Sequence, residues 1–310
     1  MKNHIGPAYL ALLGSSLIWA LTVPLMKLTL QEIPIFTLAF IRFGGASLLL
    51  FPFVYNKLTI KREDILMLVL ASLCGVSLNI AFFFSGLKFT TALNTVLLGT
   101  TGPLFVLLAA HIFLKEKWRV KTIIGALFCF TGVVIVIGRD IISNGLHLSP
   151  IGDAFILLSV LSFVGYAIIS KKLNKTYSFP VLAFCSFLIG AITFAIPAIF
   201  EYFQSPLWVK NVSSVSIFGA VYGIVFSSLF AYSLWQWALI RLEATSVAIF
   251  GYIDPVLATI ASVLILGETI TPIFILGAWF IVSGVIIAQG HIPHPLAKYI
   301  HHRIRQGSKQ

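Results

Sequence analysis

Two stretches of the chain, LLGTTGPLFVLLAAHIFLKEK at residues 97–117 and FGYIDPVLATIASVLILGET at residues 250–269, follow one pattern. A shift of 152 positions superposes identical residues: Gly99 on Gly251, Pro103 on Pro255, Leu114 on Leu266 and Glu116 on Glu268. Proline lacks the amide donor that a helix interior needs, so we predict that Pro103 and Pro255 each interrupt an apolar helix. An apolar helix with a mid-helix proline thus occurs twice, which predicts two structural repeats.

The composition of the chain is that of an integral membrane protein. Hydrophobic residues make up 59% of the sequence and charged residues only 10%, which is too apolar for a water-soluble surface. Apolar runs of about 20 residues, long enough to cross a hydrocarbon core as a helix, recur along the chain. We predict an all-α integral membrane fold with ten transmembrane helices, at residues 8–28, 34–55, 65–87, 91–114, 121–138, 150–171, 180–201, 214–240, 244–266 and 271–289. The first run precedes nine others and has no clear cleavage site, so we expect it to be retained rather than removed as a signal peptide.

The basic residues indicate how these helices are oriented. With the N-terminus inside the cell, 16 of the 21 lysines and arginines fall on the cytoplasmic side and four on the external side, with Arg42 inside the second span. We therefore predict a multi-pass protein of the cytoplasmic membrane with both termini in the cytoplasm. This asymmetry accounts for the net charge of +11, so no nucleic-acid partner is expected and the lipid bilayer is the expected environment.

The repeat predicts two halves of opposite orientation. Without gaps, residues 86–137 align with residues 238–289, and a looser match at offset 144 places Ala39-Phe40 on Ala183-Phe184 and Lys27 on Lys171. Each unit then contains five helices, an odd number, so the second enters the membrane from the opposite side. Such inverted-topology repeats are typical of carriers that open one central site to either side in turn. A fossil duplication with kinked, packed helices would give the same pattern without transport.

These features resemble the EamA branch of the drug/metabolite transporter superfamily. The resemblance runs from Trp19 to about residue 289 and is carried by SSLIWALTVPLMK, IRFGGASLLL, SGLKFTTALNTVLLGTTGPLFVLLAAHIFLKEK and ATSVAIFGYIDPVLATIASVLILGE. It implies five-helix repeats at residues 5–139 and 149–290, followed by a basic cytoplasmic tail at 291–310. It also implies a secondary carrier that exports amino acids or similar small metabolites, with a multidrug or other small-solute carrier as the alternative. One departure is Asp254, which occupies the position of Gly102 in the first half.

Two ionisable residues fall near the middle of the membrane, where an unpaired charge is costly and marks a candidate site. At 1.5 Å per residue, Arg42 lies about 12 Å and Asp254 about 15 Å deep. Asp254 fits the cap position before Pro255, but its carboxylate could also meet a proton or a substrate ammonium group. Arg42 could neutralise Asp254, or it could bind a substrate carboxylate with its bidentate fork.

Aromatic and polar residues near the same depth complete the predicted site. Ser228, Tyr232 and Trp235 share one face of the eighth span, and Asn79 and Phe83 share one face of the third. Helix–helix packing is the alternative role for each of them. The predicted substrate-binding residues are Trp19, Arg42, Asn79, Phe83, Tyr166, Tyr232, Trp235, Tyr252 and Asp254.

Other classes of function lack their signatures. There is no phosphate-binding Gly-rich loop, no pore-loop motif and no catalytic set of carboxylates, nucleophile and base, so we expect neither an ATP-driven pump, nor a channel, nor an enzyme. We expect no cofactor. The three cysteines all fall inside predicted spans and suggest no metal site. The tail contains four histidines, but its apolar positions favour a short helix on anionic lipid over a metal site.

Overall fold

The computed structural model describes residues 5–102, 148–173, 176–241 and 253–289, with isolated residues between 105 and 135. All the regular structure in these ranges is helical. The α-helices are α1 (Ile5–Glu32), α2 (Ile35–Val54), α3 (Ile65–Ser72), α4 (Asn79–Phe89), α5 (Ala92–Gly99), α6 (Leu148–Leu173), α7 (Phe179–Gln204), α8 (Ser214–Tyr222), α9 (Ala231–Arg241), α10 (Ile253–Leu266) and α11 (Pro272–Gln289). The prediction of an all-helical chain is confirmed.

Six helical stretches are long and apolar enough to cross a bilayer. They are Gly6–Glu32, Ile35–Lys57, Arg62–Phe89, Pro150–Ser170, Phe179–Gln204 and Ser214–Trp235. Two shorter apolar helices, Val256–Leu266 and Pro272–Gly284, fall in the predicted ninth and tenth spans. Parts of the predicted fourth, fifth and ninth spans, Pro103 and the tail at 291–310 lie outside the described residues, so the total of ten remains a prediction.

Two stretches of π-helix interrupt the long helices. Leu73–Leu78 separates α3 from α4, and Gly223–Phe230 separates α8 from α9. They fall in the third and eighth predicted spans, which would be equivalent under the predicted repeat. A π-helical turn is wider than an α-turn and is frequent at functional sites. Hydropathy does not reveal such a turn, and both spans were predicted as regular helices.

Three glutamates bind the N-termini of neighbouring helices at one end of the bundle. Glu201, near the end of α7, accepts hydrogen bonds from the amides of Phe36 (3.1 Å) and Thr37 (2.7 Å) in the first turn of α2. Glu32, at the end of α1, accepts one from the amide of Ser213 before α8 (2.7 Å). Glu268, which follows α10, binds the start of α5 in the same way. The free amides and the positive dipole end of a helix favour such carboxylates.

The opposite end of the bundle has its own polar contact. Tyr177, between α6 and α7, donates a hydrogen bond to Asp64 (2.7 Å) and accepts one from the amide of Lys61 (3.1 Å). The bond to Asp64 favours the protonated phenol and raises the pKa of Tyr177. The segment between α2 and α3 is thereby joined to the segment between α6 and α7.

The core contains two aromatic pairs whose members are related by the sequence repeat. Phe43 of α2 lies 5.5 Å from Phe187 of α7 between ring centroids, and these residues are 144 positions apart. Phe128 lies 5.7 Å from Phe280 of α11, and these are 152 positions apart. Nearby, a Cβ on Gly132 would come within 2.9 Å of two backbone atoms of α11, so only glycine allows this close approach.

Candidate substrate-binding site

Arg42 is buried inside the helical bundle and anchored by two hydroxyl groups. Its side chain is 3% exposed. Nε donates a hydrogen bond to Ser228 Oγ (3.0 Å), and Nη2 donates one to Ser227 Oγ (2.8 Å). Both serines belong to the second π-helical segment, and the guanidinium lies 5.0 Å from the ring centroid of Phe43. These two bonds use two of the five N–H donors of the guanidinium, which is the side chain best suited to bind a carboxylate by two bonds.

Three of the predicted aromatic residues lie together beside this anchor. The ring of Trp19 is 5.4 Å from that of Tyr232, edge to face, and 6.3 Å from that of Trp235. The indole nitrogen of Trp19 also donates a hydrogen bond to the backbone oxygen of Ser227 (3.3 Å). The aromatic group and the Arg42 anchor therefore meet at one residue of the π-helical segment.

Tyr166 joins this group across a small cavity. The cavity is lined by Tyr166, Tyr232 and Phe187, with Gly75 and Ser186 among the other lining residues. The space open to the centre of a water molecule is about 10 Å³, which is room for about one water. A solute the size of an amino acid does not fit in this conformation.

Asp254 lies in the first turn of α10 and does not form an ion pair with Arg42. Its carboxylate accepts a hydrogen bond from the side chain of Ser16 on α1. The other oxygen, Oδ1, is buried and has no hydrogen-bond partner within the described part of the chain. A carboxylate with one unsatisfied oxygen at membrane depth is a site for a proton or a cationic group.

The remaining predicted residues are less closely grouped. Asn79 is the first residue of α4 and donates hydrogen bonds to the backbone oxygen (2.9 Å) and the hydroxyl (3.0 Å) of Ser159, so its amide joins α4 to α6. Phe83 packs against the main core cluster. Pro255 lies in the first turn of α10. Tyr252 lies outside the described residues.

The sequence reasoning missed two features of this region. Ser227, which holds both Arg42 and Trp19, is not on the helical face that the spacing of Ser228, Tyr232 and Trp235 defines. Asp153 of α6 is fully buried. It is the fourth residue of the sixth predicted span but is not among the predicted site residues. A carboxylate inside an apolar run was the available signal for Asp153.

Comparison with known proteins gives the chain its relatives. The sequence profile of the EamA-like transporter family matches residues 6–138 and 150–289. An uncharacterized transporter of Archaeoglobus fulgidus is 29% identical over 283 residues, covering 90% of this chain and 96% of the relative. The uncharacterized transporter YyaM of Bacillus subtilis is 27% identical, covering 93% and 95%. One solved crystal structure shares the fold with a TM-score of 0.63 at 20% identity, covering 91% of this chain and 95% of its own.

Proposed function

This chain belongs to the EamA-like transporter family, and we propose that it is a secondary carrier that exports amino acids or similar small zwitterionic metabolites by alternating access. The observation that carries the proposal is Arg42, a buried cation that no carboxylate of the described residues neutralises. Two serines fix its orientation through Nε and Nη2, and we assign its charge to a substrate carboxylate. Such charge-assisted pairs are among the strongest contacts in a water-excluded site.

The neighbouring groups fit the other parts of such a substrate. Trp19, Tyr232 and Trp235 offer aromatic faces that can hold an apolar side chain or an ammonium group. Asp254, which meets α1 at Ser16, offers a carboxylate oxygen with no partner in the described residues. We assign it to the substrate ammonium group or to a coupled proton.

Two observations support ten helices arranged as an inverted repeat. The family profile matches two segments whose bounds fall close to the predicted units 5–139 and 149–290. Residues that sit next to a two-fold axis contact their own symmetry mates, and the pairs Phe43–Phe187 and Phe128–Phe280 do so. The small volume of the central cavity requires the halves to move before a solute can enter. The proposed location is the cytoplasmic membrane, with both termini in the cytoplasm.

Transport by purified protein in liposomes tests this function. The panel should contain matched sets: an amino acid, the amine that lacks its carboxylate and the acid that lacks its amino group. We expect counterflow of amino acids, little counterflow of the amines, and a loss of at least about tenfold for Trp19→Ala, since an aromatic contact of this kind contributes about 1–2 kcal/mol. Preference for the amines, or for uncharged lipophilic solutes alone, would contradict the zwitterion proposal and favour the multidrug alternative.

A further inference from the structure

A short corner of the chain, residues 87–93, connects α4 to α5 and is bound by charged side chains of other helices. Lys27 of α1 donates hydrogen bonds to two carbonyl oxygens of this corner, one of them 2.6 Å from Nζ. Glu268, after α10, accepts hydrogen bonds from the amides of Ala92 and Leu93, each 2.8 Å long. The corner thus has a cation on its carbonyl side and an anion on its amide side.

A third charged residue binds the same corner from α6. Asp153 accepts hydrogen bonds from the hydroxyl of Thr90 and from the side-chain Nδ2 of Asn94, the latter at 3.2 Å. The neighbouring Gly152 brings the two backbones together, because a Cβ there would lie 2.7 Å from the amide nitrogen of Thr90. Lys27 lies on α1, Asp153 lies on α6 and Glu268 follows α10, and we call these three residues the corner clamp.

The corner clamp lies between the aromatic site and the predicted external face. Asp153 is 13 residues before Tyr166 on α6, and Lys27 is eight residues after Trp19 on α1. At 1.5 Å per residue these separations are about 20 Å and 12 Å, in the direction of the predicted external end. The corner therefore lies on the external side of the aromatic site.

Two members of the corner clamp have counterparts in the sequence repeat. Lys27 corresponds to Lys171 at offset 144, and Glu268 corresponds to Glu116 at offset 152. Residues 239–245 correspond to the corner itself. Under an inverted repeat these counterparts belong to the opposite face. Glu201, which caps α2 with the same geometry, has no such counterpart, since Lys57 stands 144 positions before it.

We propose that the corner clamp is the external gate of the carrier: its three charged residues hold the α4–α5 corner against α1, α6 and α10 while the external path is closed. Opening separates the corner from them, and water then solvates the released charges. Charged hydrogen bonds are strong where water is excluded and weak where water reaches them. The closed and open arrangements are therefore two distinct states of the corner. This inference rests on the proposed alternating access and names the residues that control one of its sides.

Accessibility of a single cysteine tests the gate without a known substrate. Val96 lies one turn inside the corner, is 8% exposed, and packs against Ala20 of α1 and Ala258 of α10. Val96→Cys would be introduced after the three native cysteines are replaced, and its reaction with a membrane-impermeant maleimide would be timed in intact cells. Glu268→Gln and Lys27→Met should each speed labelling at least about tenfold, the effect of losing one charged hydrogen bond.

Glu201→Gln is the matched control, because it removes the same kind of cap from α2 at a place without a repeat counterpart. It should change the labelling rate by less than about twofold, because the hydrogen bonds of Glu201 go to α2 and not to the corner. An unchanged rate in both clamp variants, or an equal increase in Glu201→Gln, would overturn the proposal.

Each variant would be checked for a single peak in detergent gel filtration. If one clamp variant fails to fold, the labelling rate of the other decides. Failure of both to fold would show that the clamp is structural. If no solute of the panel is transported but the clamp variants are labelled faster, the proposed substrate class is refuted and the proposed gate still stands.

Discussion

Replacing Arg42 by lysine should destabilise the protein more than replacing it by methionine. The fork of Arg42 reaches Ser228 and Ser227 at 3.0 Å and 2.8 Å. A lysine ammonium is a point charge that can reach only one of these hydroxyls, so the buried charge stays and one charged hydrogen bond of about 1.5–3 kcal/mol is lost. Methionine loses both bonds but also removes the cost of burying the charge, and the serines can bond to carbonyls of their own helix.

We therefore expect Arg42→Lys to lower the free energy of unfolding by about 2 kcal/mol and Arg42→Met to change it by less than about 1 kcal/mol. Thermal unfolding of the purified variants in detergent gives the order of stability. Transport should follow a different order, since methionine offers a carboxylate no cation and should lose at least about 30-fold, whereas lysine should keep part of the activity. If the Arg42→Met variant proves less stable than the Arg42→Lys variant, the charge of Arg42 supports the fold, and the proposal that it serves to bind a substrate carboxylate is wrong.

Three further predictions concern Asp254, the close helix contact at Gly132 and the membrane topology. Asp254→Asn should abolish transport as fully as Asp254→Ala, because both variants remove the carboxylate charge. Full transport by the Asp254→Asn variant, with none by the Asp254→Ala variant, would show that the residue only caps its helix. Gly132→Ala should cost about 1–3 kcal/mol because its Cβ would meet the backbone of α11, whereas Gly44→Ala, with 3.9 Å to its nearest neighbour, should be neutral or stabilising in the same thermal assay. A cysteine at Asn144 should react with an impermeant reagent in intact cells, and a cysteine in the tail should not; the reverse pattern would invert the predicted topology.

The helices could be predicted from sequence because a bilayer imposes one strong requirement on the chain. About 20 apolar residues must occur together, and the second span, predicted at 34–55, is found as Ile35–Val54. The shared face of Tyr232 and Trp235 also followed from helical spacing, whereas the contacts of Trp19 with both rings required the fold. Depth and spacing do not reveal a pairing partner, so the sequence left Asp254 as one candidate for Arg42.

The partners of the charged groups could not be predicted because they depend on packing between distant segments. Arg42 binds two consecutive serines 185 and 186 positions away, in a π-helical turn that no hydropathy window detects. Glu268 was visible only as a repeated residue, and its role at the start of α5 required the fold to bring α10 beside α5. In the sequence, Lys27 is a lysine near the end of a predicted span and Asp153 is a carboxylate inside an apolar run. Only their shared contact with residues 87–93 shows that they belong to one cluster.

The proposed inverted repeat assigns different mechanical roles to the aromatic pairs and the corner clamp. When two similar halves exchange conformations, a residue on the two-fold axis keeps its symmetry mate as a neighbour, whereas a residue far from the axis must exchange its environment with that of its mate. Phe43–Phe187 and Phe128–Phe280 are contacts of the first kind, so they can persist in both states and act as pivots. The contacts of Glu268 are of the second kind, because the predicted topology assigns its mate Glu116 to the opposite face of the membrane. Changes at the pivots should therefore alter the stability of both states together, and changes at the corner clamp should alter the balance between them.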